Sequence, residues 1–567
     1  MKNVKNLFGM AVMATALVGC SSNDNLTPNA NEGAGTTGEA YASFKINLPT
    51  VSGTRAPGDS DGTPDLVHGD PAEYEVKNGT ILIFDASTDK FVTSAELGNM
   101  NPWTADTDNN GVTTAAIATV KLKDVSTTGS YKALVLLNNY NEDSSNRKVT
   151  LPTTADTYAD WSKDYTKVIV NNYKKSTGGI FMANAPEHKS ATDLPTLVDV
   201  KYICASPEEA QAKAATTVHV ERGLAKVTME TFTPGGYAIS GGTYDGGKVE
   251  IENWKLDVTN TKTFPVHQIG GLATDYTGIW SKDRFYDTNS HSTFKRVYWG
   301  VDPNYSNADF QVLANCKTEF NMIANGDVDG VAGTPQYCLE NTFNLANMKQ
   351  GQTTRVVFKA KFTPKDFTAP ETFYKIGNNT AIWSKTKLEQ QIKTVALTLM
   401  GITDAAEQDK YGVDLSKGTD ISGKAGQHLI AKENITFDNG TATPVTTSQV
   451  TDEIVDKINK KLGLTATTGI STYLNGEAYY IARIKHFNEL TQWHPGEAYG
   501  TENAKYLGRY GVLRNNWYSL SVHSVSGLGY PEVPEVKPDL PDDENNQYIN
   551  VEVKILDWAL RKQVIDL

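Results

Sequence analysis

Residues 41–56 read YASFKINLPTVSGTRA. Phe44, Ile46 and Leu48 alternate with Lys45 and Asn47, the period-two pattern of a strand that buries one face. A short Gly-containing segment follows and carries a single arginine, Arg55. Upstream, an apolar run closes with Leu17-Val18-Gly19-Cys20. One strand therefore sits between a candidate lipid-attachment cysteine and a candidate protease site. This arrangement predicts a temporary plug, a strand that fills a groove in the folded protein until a cut after Arg55 frees it.

Toward the N-terminus, residues 1–19 have the build of a lipoprotein signal peptide. Lys2 and Lys5 form a basic end, and Leu7 to Val18 form an apolar run too short to span a membrane as a helix. Cys20 directly follows the small Gly19, so its thiol is the expected lipidation site. Residues 20–55 read as a propeptide with the plug strand at 41–48. Its tether, Ser21 to Glu39, is rich in Asn, Gly and Thr and has no apolar periodicity. Past Arg55, Pro57 to Pro71 is rich in Gly, Asp and Pro, so the arginine lies in chain able to extend into a trypsin-like cleft. Any arginine in such a stretch would qualify; what singles out Arg55 is its place between the strand and everything downstream.

The 567 residues are too many for one core and suit two or three domains. Apolar residues make up 39%, with 9 Trp, 26 Tyr and 18 Phe, enough for large cores. A net charge of −13 argues against nucleic acid and anionic membrane as partners. With Cys20 lipidated, three of the four cysteines remain. Cys316 and Cys338 can pair in an oxidising compartment, leaving Cys204 free, or all three stay buried thiols.

Downstream the pattern is mostly that of strands. Thr80–Asp85 and Tyr131–Leu137 are short apolar runs, typical of strands buried on both faces, and Lys167–Val170 and Val218–Glu221 read as further strands. Ser206-Pro207-Glu208-Glu209 has an N-cap, a first-turn proline and two acids suited to a helix start. The first domain is placed at 56–230. In the second, 231–529, strands are expected at Lys248–Val258, Thr354–Phe362, Thr394–Leu399 and Ala478–Ile484. Thr451 to Leu462 is the clearest helix, with Ile454, Ile458 and Leu462 at i+4 and Gly463 to stop it. Residues 530–547 hold prolines and acids in close succession and read as a stiff, solvated linker. After it, Ile549, Val551, Val553 and Ile555 share one face of an alternating strand within 548–567. That strand either returns to its own sheet as an edge or reaches another molecule.

No motif carries enzyme chemistry. Gly242 to Lys248 resembles a phosphate-binding loop, but Val249 stands where a magnesium-binding Ser or Thr belongs. Asp106 to Gly111 begins like a calcium loop, yet its twelfth position is Ile117 and not a bidentate Glu, so a polar turn is the simpler reading. The histidines show no ligand spacing, and neither a metal nor a cofactor is expected.

Several stretches together resemble the fimbrillins of Bacteroidales, the subunits of type V pili, and among them the shaft subunit of the short fimbriae. They are His219-Val-Glu-Arg222-Gly-Leu-Ala-Lys226-Val, Arg296-Val-Tyr-Trp299-Gly-Val-Asp302-Pro-Asn-Tyr305 and Tyr337-Cys338-Leu-Glu340-Asn-Thr-Phe343. Tyr479 to Phe487 and Gly511 to Tyr518 complete the set. The resemblance implies an all-β fold of two transthyretin-like Greek-key β-sandwich domains with a few short helices. It also implies a lipoprotein precursor, attached to the outer membrane through Cys20. An arginine-specific protease cuts the Arg55–Ala56 bond, Ala56 begins the mature subunit, and a neighbour's C-terminal strand fills the vacated groove. Residues 548–567 fit that donor role, with Val564-Ile565 a second apolar patch able to insert. The implied partners are further copies of the chain, anchor and tip subunits, the protease, and host or bacterial surface ligands.

Physics supports such a scheme independently. A vacated groove is an unpaired sheet edge over an open core, a template for another strand. Burying about four apolar side chains at roughly 1.5–3 kcal/mol each gives on the order of 6–12 kcal/mol before ordering costs. Head-to-tail transfer is a contact that need not close, so it builds a fibre. The sequence is thus read as a structural shaft subunit of an adhesive surface fimbrium and not an enzyme. The rival reading is a tip adhesin or a non-polymerising, glycan-binding surface lipoprotein.

Overall fold

The computed structural model describes residues 39–49, 73, 75–98, 104–105, 112–140, 146–175, 178–190, 192–270, 285–286, 294–306, 308–424, 426–440, 445–486, 507–542 and 549–556. The expected signal peptide, Cys20, Arg55, Ala56 and the patch at Val564-Ile565 lie outside these residues.

Nine strands make the first sheet: β1 (Ala40–Pro49), β2 (Gly79–Asp85), β3 (Phe91–Glu96), β4 (Thr104–Ala105), β5 (Val112–Leu122), β6 (Tyr131–Leu137), β7 (Met182–Asn184), β8 (Val198–Asp199) and β9 (Thr216–Arg222). Their order is β3-β2-β6-β7-β9-β1-β5-β4, with β8 pairing β6. The sheet folds over on itself, because Phe44 and Ile46 of β1, Ile81 and Ile83 of β2, and Val218 and Val220 of β9 all meet in one core. The opposite faces of β2 and β6 are buried as well. There Leu82, Phe84, Leu134 and Leu136 pack against Trp161, Tyr173 and Phe181. Burial on both faces is why these two strands are continuous apolar runs without alternation.

One residue, Gly223, separates β9 from β10 (Leu224–Met229), the first strand of the second core. A Cβ at this position would collide with the Tyr173 hydroxyl, so only glycine fits. There follow β11 (Tyr237–Ala238), β12 (Lys248–Asp257), β13 (Thr259–Asn260), β14 (Phe320–Asn321), β15 (Gln336–Leu339) and β16 (Arg355–Thr363). An inserted lobe then carries β17 (Phe373–Ile376), β18 (Trp383–Ser384), β19 (Tyr411–Val413), β20 (Thr419–Asp420), β21 (Gln427–Leu429), β22 (Ile435–Phe437) and β23 (Ile470–Tyr473). The chain returns to the second core through β24 (Glu477–Arg483), β25 (Trp517–Val525) and β26 (Ile549–Leu556). Sheet β15-β10-β25-β26 faces sheet β11-β12-β16-β24 across Val227, Trp254, Phe358, Tyr480, Tyr518 and Leu520. The fold is all-β, of sandwich type, with a few helices.

The inserted lobe corrects one expectation. Thr394–Leu399 is not a strand but the last turns of a helix, Lys385–Met400. Ser384 caps it, Gly401 ends it at φ 71°, and Leu388, Ile392, Val395 and Ala396 recur on its buried face. Lys167–Val170 is likewise not a strand. The Asp164 carboxylate accepts from the Thr166 N–H at 2.9 Å and its hydroxyl at 2.5 Å, closing a 3-10 turn over Tyr165–Lys167, and Val170 opens a short helix. Local side-chain hydrogen bonding there outweighs β-branched propensity. The expected helices at Pro207–Ala212 and Asp452–Lys461 form, capped by Ser206 and Thr451.

Cys204, Cys316 and Cys338 are free, buried thiols. Cys316 donates to the Phe310 carbonyl at 3.1 Å, while Cys338 lies in the second sandwich core, so the two do not bond to each other.

Along its described length, residues 530–542, the Pro/acidic segment is held against the protein, with Glu535, Lys537 and Asp539 left exposed. Tyr530 and Tyr479 exchange two backbone hydrogen bonds at 2.7 Å. The Arg355 guanidinium donates to the Pro534 carbonyl at 2.7 Å, and Val536 and Asp542 are buried. The segment is a strap laid along the body of the second core. Proline supplies the extension, and backbone carbonyls supply the anchoring.

Candidate assembly site

Two strands singled out by the sequence, β1 and β26, occupy different cores. β1 lies inside its sheet with both edges paired. It runs antiparallel to β5 from Ala40↔Leu122 to Pro49↔Val112 and parallel to β9 from Phe44↔Thr216 to Asn47↔His219. Ala40, Ala42, Phe44 and Ile46 point into the first core, at 1%, 1%, 0% and 0% exposure. Leu48 continues the ladder opposite Thr114.

The outer face of β1 is covered in part. Tyr41 and Cys204 exchange backbone hydrogen bonds at 2.9 and 2.8 Å. The Ser43 hydroxyl donates to the Ala210 carbonyl of the helix Pro207–Ala212 at 2.8 Å and lies 2.8 Å from the Thr119 hydroxyl. Lys45 is exposed opposite the equally exposed Ile117. At the far end the fit is poorer. Asn47 Oδ1 and His219 Nδ1, on residues paired across the β1–β9 ladder, are both buried without a hydrogen-bond partner. Burial, with a smaller contribution from the Lys45 charge, lowers the His219 pKa to about 4. Its ring stacks on Phe294 at 4.1 Å.

β26 forms the edge of its sheet, antiparallel to β25 from Trp517↔Leu556 to Val525↔Ile549. Val551, on the face expected to be apolar, is buried in the second sandwich core. Val553 and Ile555 hold the ladder positions opposite Leu520 and Tyr518. The single chain therefore uses this strand to finish its own sheet.

Sequence reading missed what joins the two cores. Residues quoted from scattered motifs meet in one buried charged cluster. Glu221 accepts from Arg296 Nε at 2.6 Å and contacts His267 Nδ1 at 2.7 Å. Arg296 also donates to the Arg514 carbonyl at 3.1 Å, and Arg514 Nε pairs with Glu340 at 3.1 Å. Burial opposes ionisation of Glu221, but Arg296 and then His267 outweigh it and hold its carboxyl at about 2. The signal available in sequence was the placing of Arg222, Arg296 and Arg514 close to apolar residues. Among the described residues no group of three or more His, Cys, Asp and Glu is placed to hold a metal ion, and no helix is long and apolar enough to cross a membrane.

Residues 471–564, from β23 through β26, match the family described as major fimbrial subunit protein type IV, fimbrillin, C-terminal. Over this region the chain is similar to the fimbrillins. Among curated proteins, none matches the sequence. Among solved structures, this chain is similar to a candidate cell adhesion protein from Parabacteroides distasonis, with TM-score 0.36 and 10% identity over 93% of this chain and 99% of that one. It is also similar to a fimbrial assembly protein from the same species, with TM-score 0.25 and 13% identity over 58% of this chain and 88% of that one.

Proposed function

We propose that this chain is the shaft subunit of an adhesive fimbrium, exported as a precursor lipidated at Cys20 and carried to the outer membrane. A protease cuts after Arg55, β1 leaves, and residues 548–567 of the next subunit fill the groove. Repetition of that step builds the fibre, which ends on anchor and tip subunits.

One observation carries the reading. β1 precedes Arg55 in the chain, yet it fills the middle of the first core between two paired neighbours. Its loss opens two backbone edges and exposes the core beneath Phe44 and Ile46 together. Those two side chains alone are worth roughly 3–6 kcal/mol of burial. A strand of matching alternation restores both, and Ile549, Val551, Val553 and Ile555 supply one.

A second reading, a tip adhesin or a non-polymerising surface glycan-binding lipoprotein, is favoured by the seating of β26 on its own β25. A subunit that keeps its last strand has nothing to donate. Digestion with an arginine-specific protease, followed by gel electrophoresis of unboiled sample, separates the two. The shaft reading expects a ladder that disappears when residues 548–567 are deleted. A monomer from the intact, digested chain refutes it.

A further inference from the structure

The exchange reading leaves open how the incoming strand sits, and the walls around β1 answer that. Because side chains alternate, the donor can shift only by whole pairs. Three settings, with Val553, Val551 or Ile549 at the seat of Phe44, keep the apolar face of the donor inward while it runs in the direction of β1. If Val553 takes the place of Phe44, Glu552 falls on Ser43, which is 8% exposed and meets the Ala210 carbonyl. A carboxylate there faces an acceptor with no proton to share. The same setting puts Asp557 at the ladder position of Leu48, two residues past the buried Ile46. If Ile549 takes the place of Phe44, Gln547 falls on the buried Ala42 and Asn545 on the buried Ala40.

The remaining setting avoids both, although it brings Lys554 to the seat of Asn47, which is 5% exposed. We propose that Tyr548 to Leu556 of a second copy occupy the seats of Tyr41 to Pro49, in the direction of β1, with Val551 at Phe44. This deepens the exchange reading and rests on it. Tyr548 then replaces Tyr41, and Asn550 replaces Ser43 with an amide able to donate to the Ala210 carbonyl. Ile549 and Val551 replace Ala42 and Phe44, a small–large pair exchanged for two of middle size, so the volume of the core is nearly kept. Val553 replaces Ile46, and Ile555 replaces Leu48. The only polar residue brought to a buried inward seat is Gln547, at Ala40, where the strand begins. On the outer face Glu552 takes the exposed seat of Lys45. There it sets a negative charge where the resident strand sets a positive one, while Lys554 comes to the seat of Asn47 opposite His219.

Cysteine pairs read this register directly, because β5 is the ruler. Ser43 lies opposite Thr119, and Lys45 opposite Ile117. The full-length chain carrying T119C with N550C, or I117C with E552C, is digested, assembled, oxidised and run boiled without reductant. Both pairs should give ladders that reductant removes, while T119C with E552C should give none. Single variants N550C and E552C, run unboiled, show whether assembly itself survives the substitutions. Fibres that cross-link only through T119C with E552C overturn the register and leave the exchange reading standing. Fibres that cross-link through the 119–550 pair but not the 117–552 pair overturn the direction. Absence of fibres from the unsubstituted chain overturns the exchange reading, and this inference with it.

Discussion

Glu73 and Lys226 meet at 2.6 Å with only 3% of each side chain exposed. The same carboxylate accepts from the Tyr337 hydroxyl at 2.7 Å, and the Glu73 carbonyl accepts from Arg222 Nε at 2.9 Å. Lys226 in turn lies 3.8 Å from the centre of the Trp517 ring. One residue of the segment before β2 is thus pinned to β10, β15 and the end of β9. Removing one partner of a buried ion pair strands the other charge, at about 3–5 kcal/mol. Glu73→Gln should lower the unfolding midpoint by that order, measured by urea titration. Glu73→Leu combined with Lys226→Met should recover much of the loss, because neither charge is then left alone.

Phe44 sets the stability of the uncut chain. It is fully buried between β5 and β9, so Phe44→Ala leaves a cavity and should cost about 3–5 kcal/mol. If β1 leaves after the cut, the same substitution should not change the stability of the assembled fibre. Denaturation of uncut Phe44→Ala alongside disassembly of its digested fibre measures both. An equal loss in the two forms would mean that β1 stays in place.

His219 gives the first sheet an acid limit. Its pKa falls to about 4 in the folded chain, below the ordinary value of 6.5. Between these values the unfolded chain binds the proton more readily, so stability rises with pH across the window and falls on acidification. The full loss from pH 7 to pH 4 is on the order of 3 kcal/mol. His219→Gln should flatten the stability curve between pH 4 and 6.5, read by denaturant titration at several pH values. A variant whose curve runs parallel to that of the natural chain would remove His219 as the cause.

Much of the fold is legible because burial and period coincide. β2 and β6 announce themselves as apolar runs, since each is covered on two sides, and β12 and the second half of β16 alternate, since there each lines one core. Thr394–Leu399 misleads because six residues hold too little of a 3.6-residue period; Leu388 and Ile392, six and two residues earlier, complete it. The strap at 530–542 misleads for another reason. Its anchoring runs through backbone carbonyls such as that of Pro534, which no side-chain pattern encodes. The charged junction is hidden similarly, because Glu221, Arg296 and Arg514 lie far apart in sequence and meet only in space.

Asp542 fixes where the strap ends. Its carboxylate accepts from the Thr353 hydroxyl at 2.9 Å, its carbonyl accepts from Arg483 Nε at 3.0 Å, and its own amide donates to the Met348 carbonyl at 3.2 Å. Beyond it the chain has only 543–548 before β26 begins. Six extended residues reach about 20 Å, so release of the strap lengthens the span that the last strand can cover. Asp542→Ala removes one of two acceptors within reach of the Thr353 hydroxyl, the other being the Lys349 carbonyl at 2.9 Å, and should cost about 1 kcal/mol locally. Hydrogen exchange should then quicken at the Gln350 amide, which donates to Leu540, and at residue 542. It should stay slow at Tyr479 and Tyr530, twelve residues nearer β25. Equal quickening at both ends would show that the strap opens as a unit and that Asp542 sets no hinge.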